Sequence, residues 1–346
     1  MRTRLTPFNY LFTITTLLLI MAFTILWALF SGVVHVTISD VFSSIYNWFG
    51  GNLEIDAFVE HTIIELRLKR ILLALIVGMA LSLSGCVFQA LLRNPLADPH
   101  ILGASAGGAC GAVVATACGV SVLANTFLAV PILSFCGSLG AITLVYFLAK
   151  RKGVLSMYSL ILIGVILNSF FISVVIFIES IISADQLASI FFWLLGNLSQ
   201  FDNNVLLVLA VAFAVVFTIL MFYARKINIL SLGEEKAAQL GVSVEATKRV
   251  CFILAAVITG MSVAVSGLIG FVGLVVPHIM RLIFGPDHRL LLPASTIGGG
   301  IFLVVADTIA RTALIPQELP VGVVTSFIGA PFFIFLLKQK EEKKFF

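Results

Sequence analysis

The sequence predicts an all-α, polytopic membrane protein of about ten transmembrane helices, and three observations predict it. Of its 346 residues, 60% are apolar and only 11% are charged, against roughly 45–50% and about 25% in a soluble chain. Too few charges remain to coat a water-facing surface. Apolar runs of roughly the 20 residues that a bilayer core demands recur between short polar or Gly/Pro-containing breaks. The alternation in segments of about 10 residues that marks a closed β-barrel is missing from these runs.

Taken in order, helices are expected over 9–31, 71–92, 100–120, 127–149, 154–178, 204–223, 249–268, 271–285, 293–312 and 320–338. The first follows Met1-Arg-Thr-Arg and could pass for a secretory signal. Its apolar stretch exceeds the roughly 7–15 residues of a signal peptide, so it reads as a retained helix. Lys and Arg stay on the cytoplasmic side of a membrane. With both termini inside, 17 of the 21 basic residues fall inside and only Arg67, Lys69, Arg70 and Arg311 outside. The chain reads as one domain, 1–346, with a first helix and extracytoplasmic segment over about 1–65 and a polar cytoplasmic segment over 224–248.

The five cysteines, Cys86, Cys110, Cys118, Cys136 and Cys251, sit singly inside predicted helices without metal-ligand spacing; they read as small apolar packing residues. The net charge of +4 follows from membrane topology and calls for no nucleic acid.

A repeat divides the chain. Gly78-Met79 with Ser84-Gly85 recurs as Gly260-Met261 with Ser266-Gly267, and Pro99-His100-Ile101 recurs as Pro277-His278-Ile279. In the expected threading the two copies cross the membrane in opposite directions, an arrangement that serves alternating access in transporters. Glycines cluster within spans, as in Gly298-Gly-Gly300, where small residues let backbones approach closely in lipid. Gly103-Ala-Ser105-Ala-Gly107 fits the hydrolase nucleophile pattern, but that motif needs a strand-to-helix turn; Ser105 is expected to pack or to bond backbone. His100 and His278 follow prolines near helix ends and read as caps or packing. Asp307 is an intramembrane carboxylate, and its position four residues before Arg311 favours an ion pair.

The segment between the sixth and seventh spans is the most informative polar stretch. Ser231 and Glu234 have capping-box spacing, Gly241 can close the helix in the left-handed conformation, and Ser243 can cap the next turn. Two short helices at the membrane face are expected.

The chain resembles the permease subunits of bacterial importers for cobalamin, haem and ferric siderophores. The resemblance rests on Arg67-Leu-Lys-Arg70, Gln89 through Pro99, Leu102 through Gly107, Phe192-Trp-Leu-Leu-Gly196, Leu232 through Val242, Gly270 through His278, Gly285-Pro-Asp-His-Arg289 and Glu318-Leu-Pro-Val-Gly322, in that order. It extends from the second helix to the last; the first 60 or so residues look generic. It implies the cobalamin-importer-type fold, a homodimer with its pathway on the dimer axis, two separate ATP-binding subunits on the cytoplasmic side, and an extracytoplasmic substrate-binding protein. It also implies a coupling helix that engages the ATPase, carried here by Leu232, Gly233, Glu234, Glu235, Ala237, Leu240 and Gly241. Arg67, Arg70 and Arg311 match basic residues that dock the binding protein, and Arg suits bidentate pairing with carboxylates. Lys69 stands where the family usually has proline.

No G-x-x-x-x-G-K-[ST] loop occurs in the sequence, so ATP and Mg are expected on a partner subunit and no cofactor in this chain. The expected cargo is an iron chelate, a ferric siderophore or haem, with cobalamin as the alternative. An ion-gradient-driven carrier and a membrane-embedded hydrolase are the other function classes.

Overall fold

The computed structural model describes residues 6–48, 50–119, 128–151, 154–198 and 203–342. Arg2, Arg4, Lys152, Lys343 and Lys344 of the charge argument lie outside them. Helix α1 (Pro7–Phe30) and α2 (Ile38–Trp48) lead into a 35-residue run, Ala57–Leu91, composed of α3 (Ala57–His61), a π-helical segment (Thr62–Leu68) and α4 (Lys69–Leu91). A 3-10 turn (Pro99–Leu102) opens α5 (Ala104–Ala117). Helices α6 (Ala129–Ala149) and α7 (Met157–Glu179) are joined through a small antiparallel pair, β1 (Lys150–Arg151) and β2 (Val154–Leu155). There follow α8 (Ala184–Leu194), α9 (Asn203–Leu230), α10 (Glu234–Gln239), α11 (Val244–Ser266), α12 (Val272–Phe284), α13 (His288–Thr312) and α14 (Val321–Glu342).

Seven of the described helical runs are long and apolar enough to cross a membrane: α1, Ala57–Leu91, α6, α7, α9, α11 and α13. The shorter apolar helices Ala104–Ala117, Val272–Phe284 and Val321–Phe335 fall on the remaining expected spans, so each of the ten has its helix. The π-helical extension of α4 and the short helices α2 and α8 were not expected. A run of 35 residues is about 50 Å long at 1.5 Å per residue, well beyond the ~30 Å hydrocarbon core. Its first turns therefore project past the apolar layer, and Arg67 and Arg70 sit there.

The centre of the bundle is α4 against α13; in each, 83% of the apolar window is buried, against 11% in α7 and 17% in α1 and α9. Close approach explains it. A Cβ on Gly78 would strike the Gly299 carbonyl, and one on Gly299 would strike that of Gly78; only glycine lets the backbones touch and gain the dispersion contacts that hold helices together in lipid. One turn along, the Ser82 hydroxyl donates to the Ser295 carbonyl at 2.7 Å. Pairs 70 with 307, 78 with 299 and 82 with 295 advance along α4 as they retreat along α13, so the two are antiparallel.

The repeated halves are inverted. Arg93, just past the end of α4, lies against Gly233, while α11 starts beside Glu234 through Lys248. Helix α4 thus ends where α11 begins, and the two cross with Phe88 edge-on to Phe252, ring centroids 5.9 Å apart.

Candidate functional site

The ion pairs of the bundle gather at its two ends, one rich in arginine and the other centred on a lysine. At the arginine end the three expected docking residues come together, but their side chains turn inward. Arg67 is 5% exposed and donates to the carbonyls of Leu29 (2.7 Å) and Val34 (2.6 Å), so it closes the carbonyl end of α1, where the helix leaves acceptors unpaired and the dipole favours a cation. Arg70 meets Asp307 at 2.9 Å and Glu318 at 2.7 Å. Arg311 meets the other oxygen of Asp307 at 3.1 Å. Asp307 is 1% exposed: one fully buried carboxylate is shared by two guanidinium groups on different helices, and its remaining lone pairs are used. The ion pair expected with Arg311 is present, and Arg70 is the partner that sequence spacing does not reveal. A cleft of about 190 Å³ opens beside this cluster between Arg70, Phe192, Asn197, Glu318 and Pro320. Glu318 is half-exposed on its rim, and Lys69 pairs with Glu65 one turn apart.

At the lysine end the expected capping box is corrected. The Ser231 hydroxyl donates back to the Asn228 carbonyl at 2.6 Å, since α9 continues to Leu230 and its last turn offers acceptors. The residue before α10 is Gly233 at φ +120°, a conformation open to glycine alone. Glu234 is instead the first residue of α10 and reaches Lys248 at 3.0 Å. The closing glycine is as expected: Gly241 has φ +80°, its N–H donates to Ala238 and the next, that of Val242, donates to Ala237, both at 3.0 Å, the two bonds of a Schellman cap. Ser243 stands at the start of α11 but its side chain makes no cap bond, and the second short helix is absorbed into α11. Ala237 is fully buried, whereas Leu232 and Leu240 are 60% and 62% exposed at the two ends of α10.

Lys248 is the residue that sequence reading missed. Counted there only as a topological charge, it is 1% exposed and donates to Glu234 (3.0 Å), Glu245 (2.6 Å) and the Leu155 carbonyl (3.1 Å). The three-residue spacing from Glu245 was the one signal available. Nearby, Asp287 caps α13, accepting from the backbone of Arg289 at 3.0 Å and from Asn228 Nδ2 at 2.7 Å. The Arg289 side chain beside it holds its carboxyl down at about 2, against the partial opposition of burial.

Between the ends, His100 Nε2 donates to the Ile269 carbonyl at 2.9 Å, leaving Nδ1 to accept from the Ser105 hydroxyl. Ser105 is buried, in line with the packing expected of it, and its hydroxyl bonds an imidazole in place of backbone. The second ring nitrogen meets a carbonyl in place of a carboxylate, and Ser105 lies in the first turn of a helix after a 3-10 turn, not on a strand-to-helix elbow. This pair ties α5 to the residues after α11. The His278 ring packs edge-on to Phe333. The cysteines are unpaired; Cys86 and Cys251 are buried as expected, while Cys118 and Cys136 are exposed. Among the described residues no group of three His, Cys, Asp or Glu could hold a metal ion.

The same arrangement of spans is found in known transporters. A solved structure of a metal-chelate type ABC transporter in an inward-facing conformation superposes with a TM-score of 0.83 at 31% identity, over 94% of this chain and 98% of that one. An ABC transporter permease of Bacillus subtilis is 41% identical over 323 residues, 92% of this chain and 90% of its own. The cobalamin import system permease of Halobacterium salinarum is 41% identical over 276 residues, 80% of this chain and 73% of its own. The hemin transport system permease of Yersinia pestis is 39% identical over 292 residues, 82% and 85% of the two chains. With residues 18–339 matching the family pattern itself, the chain belongs to the FecCD transport family, as a multi-pass permease subunit of an ABC importer.

Proposed function

We propose that this permease pairs with a second copy to line a pathway for an iron chelate, a ferric siderophore or haem, across the cytoplasmic membrane. Two separate ATP-binding subunits supply the energy with ATP and Mg, and an extracytoplasmic binding protein delivers the cargo. The lysine end faces the cytoplasm together with both termini, and lipid surrounds the exposed apolar spans. The chain itself hydrolyses nothing.

The observation that carries this reading is α10. A short helix set off by two glycines projects at a polar end of the bundle with Leu232 and Leu240 bare at its ends, where charged neighbours exclude lipid as the cover. Such exposed apolar anchors on a rigid element suit a groove in a partner protein. Leu232, Gly233, Glu234, Glu235, Ala237, Leu240 and Gly241 are accordingly assigned to ATPase coupling. At the other end, docking of the binding protein centres on Arg67, Arg70 and Arg311. Their side chains bond within the chain, so they shape this surface, and the exposed acids Glu65 and Glu318, with the partly buried Lys69 beside Glu65, make the electrostatic contact.

For cargo, the relatives named for hemin, iron chelatin and iron(3+)-hydroxamate favour an iron chelate. The 41% identical cobalamin permease supports cobalamin as the second reading. Proteoliposomes holding the whole importer, offered each cargo with its binding protein, decide between them: accumulation is expected with ATP and only for the cognate cargo. Glu234→Arg is expected to lower uptake per ATP hydrolysed by about tenfold, the effect of losing one well-formed charged contact. Accumulation by the permease alone under an ion gradient would overturn the proposal.

A further inference from the structure

The geometry points to Lys248 as the positioning residue that locks the coupling helix α10, the start of α11 and the start of α7 into one moving block. The inference rests on the assignment of α10 to ATPase coupling and names how its displacement enters the membrane.

An ammonium group has three donors and no acceptor. On Lys248 all three are spent on three different elements: Glu234 at the first turn of α10, Glu245 on α11 itself and the carbonyl of Leu155 in β2. Glu245 closes the set, because its second oxygen accepts from the Leu155 N–H at 2.9 Å. The peptide groups on both sides of Leu155 are thus held by one acid and one base of the same helix. Ser156, the next residue, caps α7. A buried cation with every donor satisfied is expensive to unpair, so α10 cannot shift without drawing Leu155 with it.

Helix α7 is the element best placed to respond. Only Leu160, Gly164 and Val175 of its 23 residues are buried, in contrast to the seam of α4 and α13, and a helix with few buried contacts moves at low cost. Its lysine-end terminus is gripped, while its body lies against α5 and α6 with only those three residues fully buried. A push on α10 therefore reaches α11 and α7 together, the first a member of the repeat and the second its loosest span.

Hydrogen exchange on the purified permease and transport by the reconstituted importer separate the two layers of this inference. Lys248→Met is expected to speed exchange by about tenfold in peptides over 154–160 and over 234–242, where protection reflects local opening, and to leave peptides of α4 and α13 as they were. In the full importer the same variant is expected to raise the ATP hydrolysed per cargo molecule imported by about tenfold, and Lys248→Arg, which keeps the charge and can reach two carboxylates, to recover it to within about threefold. Unchanged exchange in both peptides overturns the lock. Faster exchange with an unchanged ATP ratio keeps the lock but overturns its part in transmission; the assignment of α10 itself falls only if Glu234→Arg also leaves uptake per ATP unchanged. Should Lys248→Met not fold, Glu245→Gln, on a partly exposed side chain, loosens the same hold on Leu155; wild-type exchange in that variant overturns the lock equally.

Discussion

The two ionic clusters of this permease are built in opposite polarity. At the arginine end the buried centre is an acid: Asp307 is 1% exposed, and the arginines around it are 10% and 8% exposed. At the lysine end the buried centre is a base: Lys248 is 1% exposed, but its acids are 38% and 34% exposed. The difference lies in what is stranded when the centre is lost. Two guanidinium groups without Asp307 remain in a dry place, whereas Glu234 and Glu245 without Lys248 can turn to water. One cluster therefore strands its neighbours when its centre goes, and the other, locked while Lys248 is in place, comes apart with its acids still hydrated.

The sharpest way to break the comparison is to remove both centres. Asp307→Ala is expected to cost about 3–5 kcal/mol, the penalty for an uncompensated buried charge, read as a large fall in thermal midpoint in detergent or as failure to accumulate in the membrane. Lys248→Met should cost about 1–2 kcal/mol by the same measure, since the acids it leaves are partly hydrated and one carbonyl, that of Leu155, loses a donor. Equal losses would show that the polarity of the clusters does not matter. Glu318→Gln removes the half-exposed member of the arginine cluster, and below about 1 kcal/mol is expected, shrinking further in high salt. The smallest effect concerns acid. Asp287 has a carboxyl depressed from 3.8 to about 2, so the stability it contributes is whole above pH 4 and is lost as pH falls through about 2. A wild-type chain should lose slightly more midpoint than Asp287→Asn between pH 4 and pH 2, because asparagine keeps the cap without the charge.

The spans were legible because the bilayer imposes their length and apolarity directly. What a search for runs of roughly 20 apolar residues cannot register is a helix of 11 residues, which is why α2 and α8 escaped. Capping patterns were legible in kind but not in place. Ser183 and Gln186 carry the same spacing as Ser231 and Glu234, and the first pair does form a capping box at α8. The second does not, because α9 runs on to within reach of Ser231 and a glycine in the one conformation that only it accepts begins the next helix. The pairing of Asp307 with Arg311 could be read from one helical turn; Arg70 is 237 residues away in sequence from Asp307, and Lys248 meets its partners only once three segments have folded together. The arginines proposed for docking were singled out by the family resemblance, with which their unusual expected side of the membrane agreed, yet position along the chain says nothing about whether a side chain faces out or in.

The glycine contact between α4 and α13 has a mechanical consequence. Levers turn only against something that does not give, and two backbones in direct touch have no side chain between them to yield. Any larger residue at position 78 or 299 must pry one whole helix off the other. The seam is thus the stiffest part of the subunit, the part against which the less buried spans would have to move.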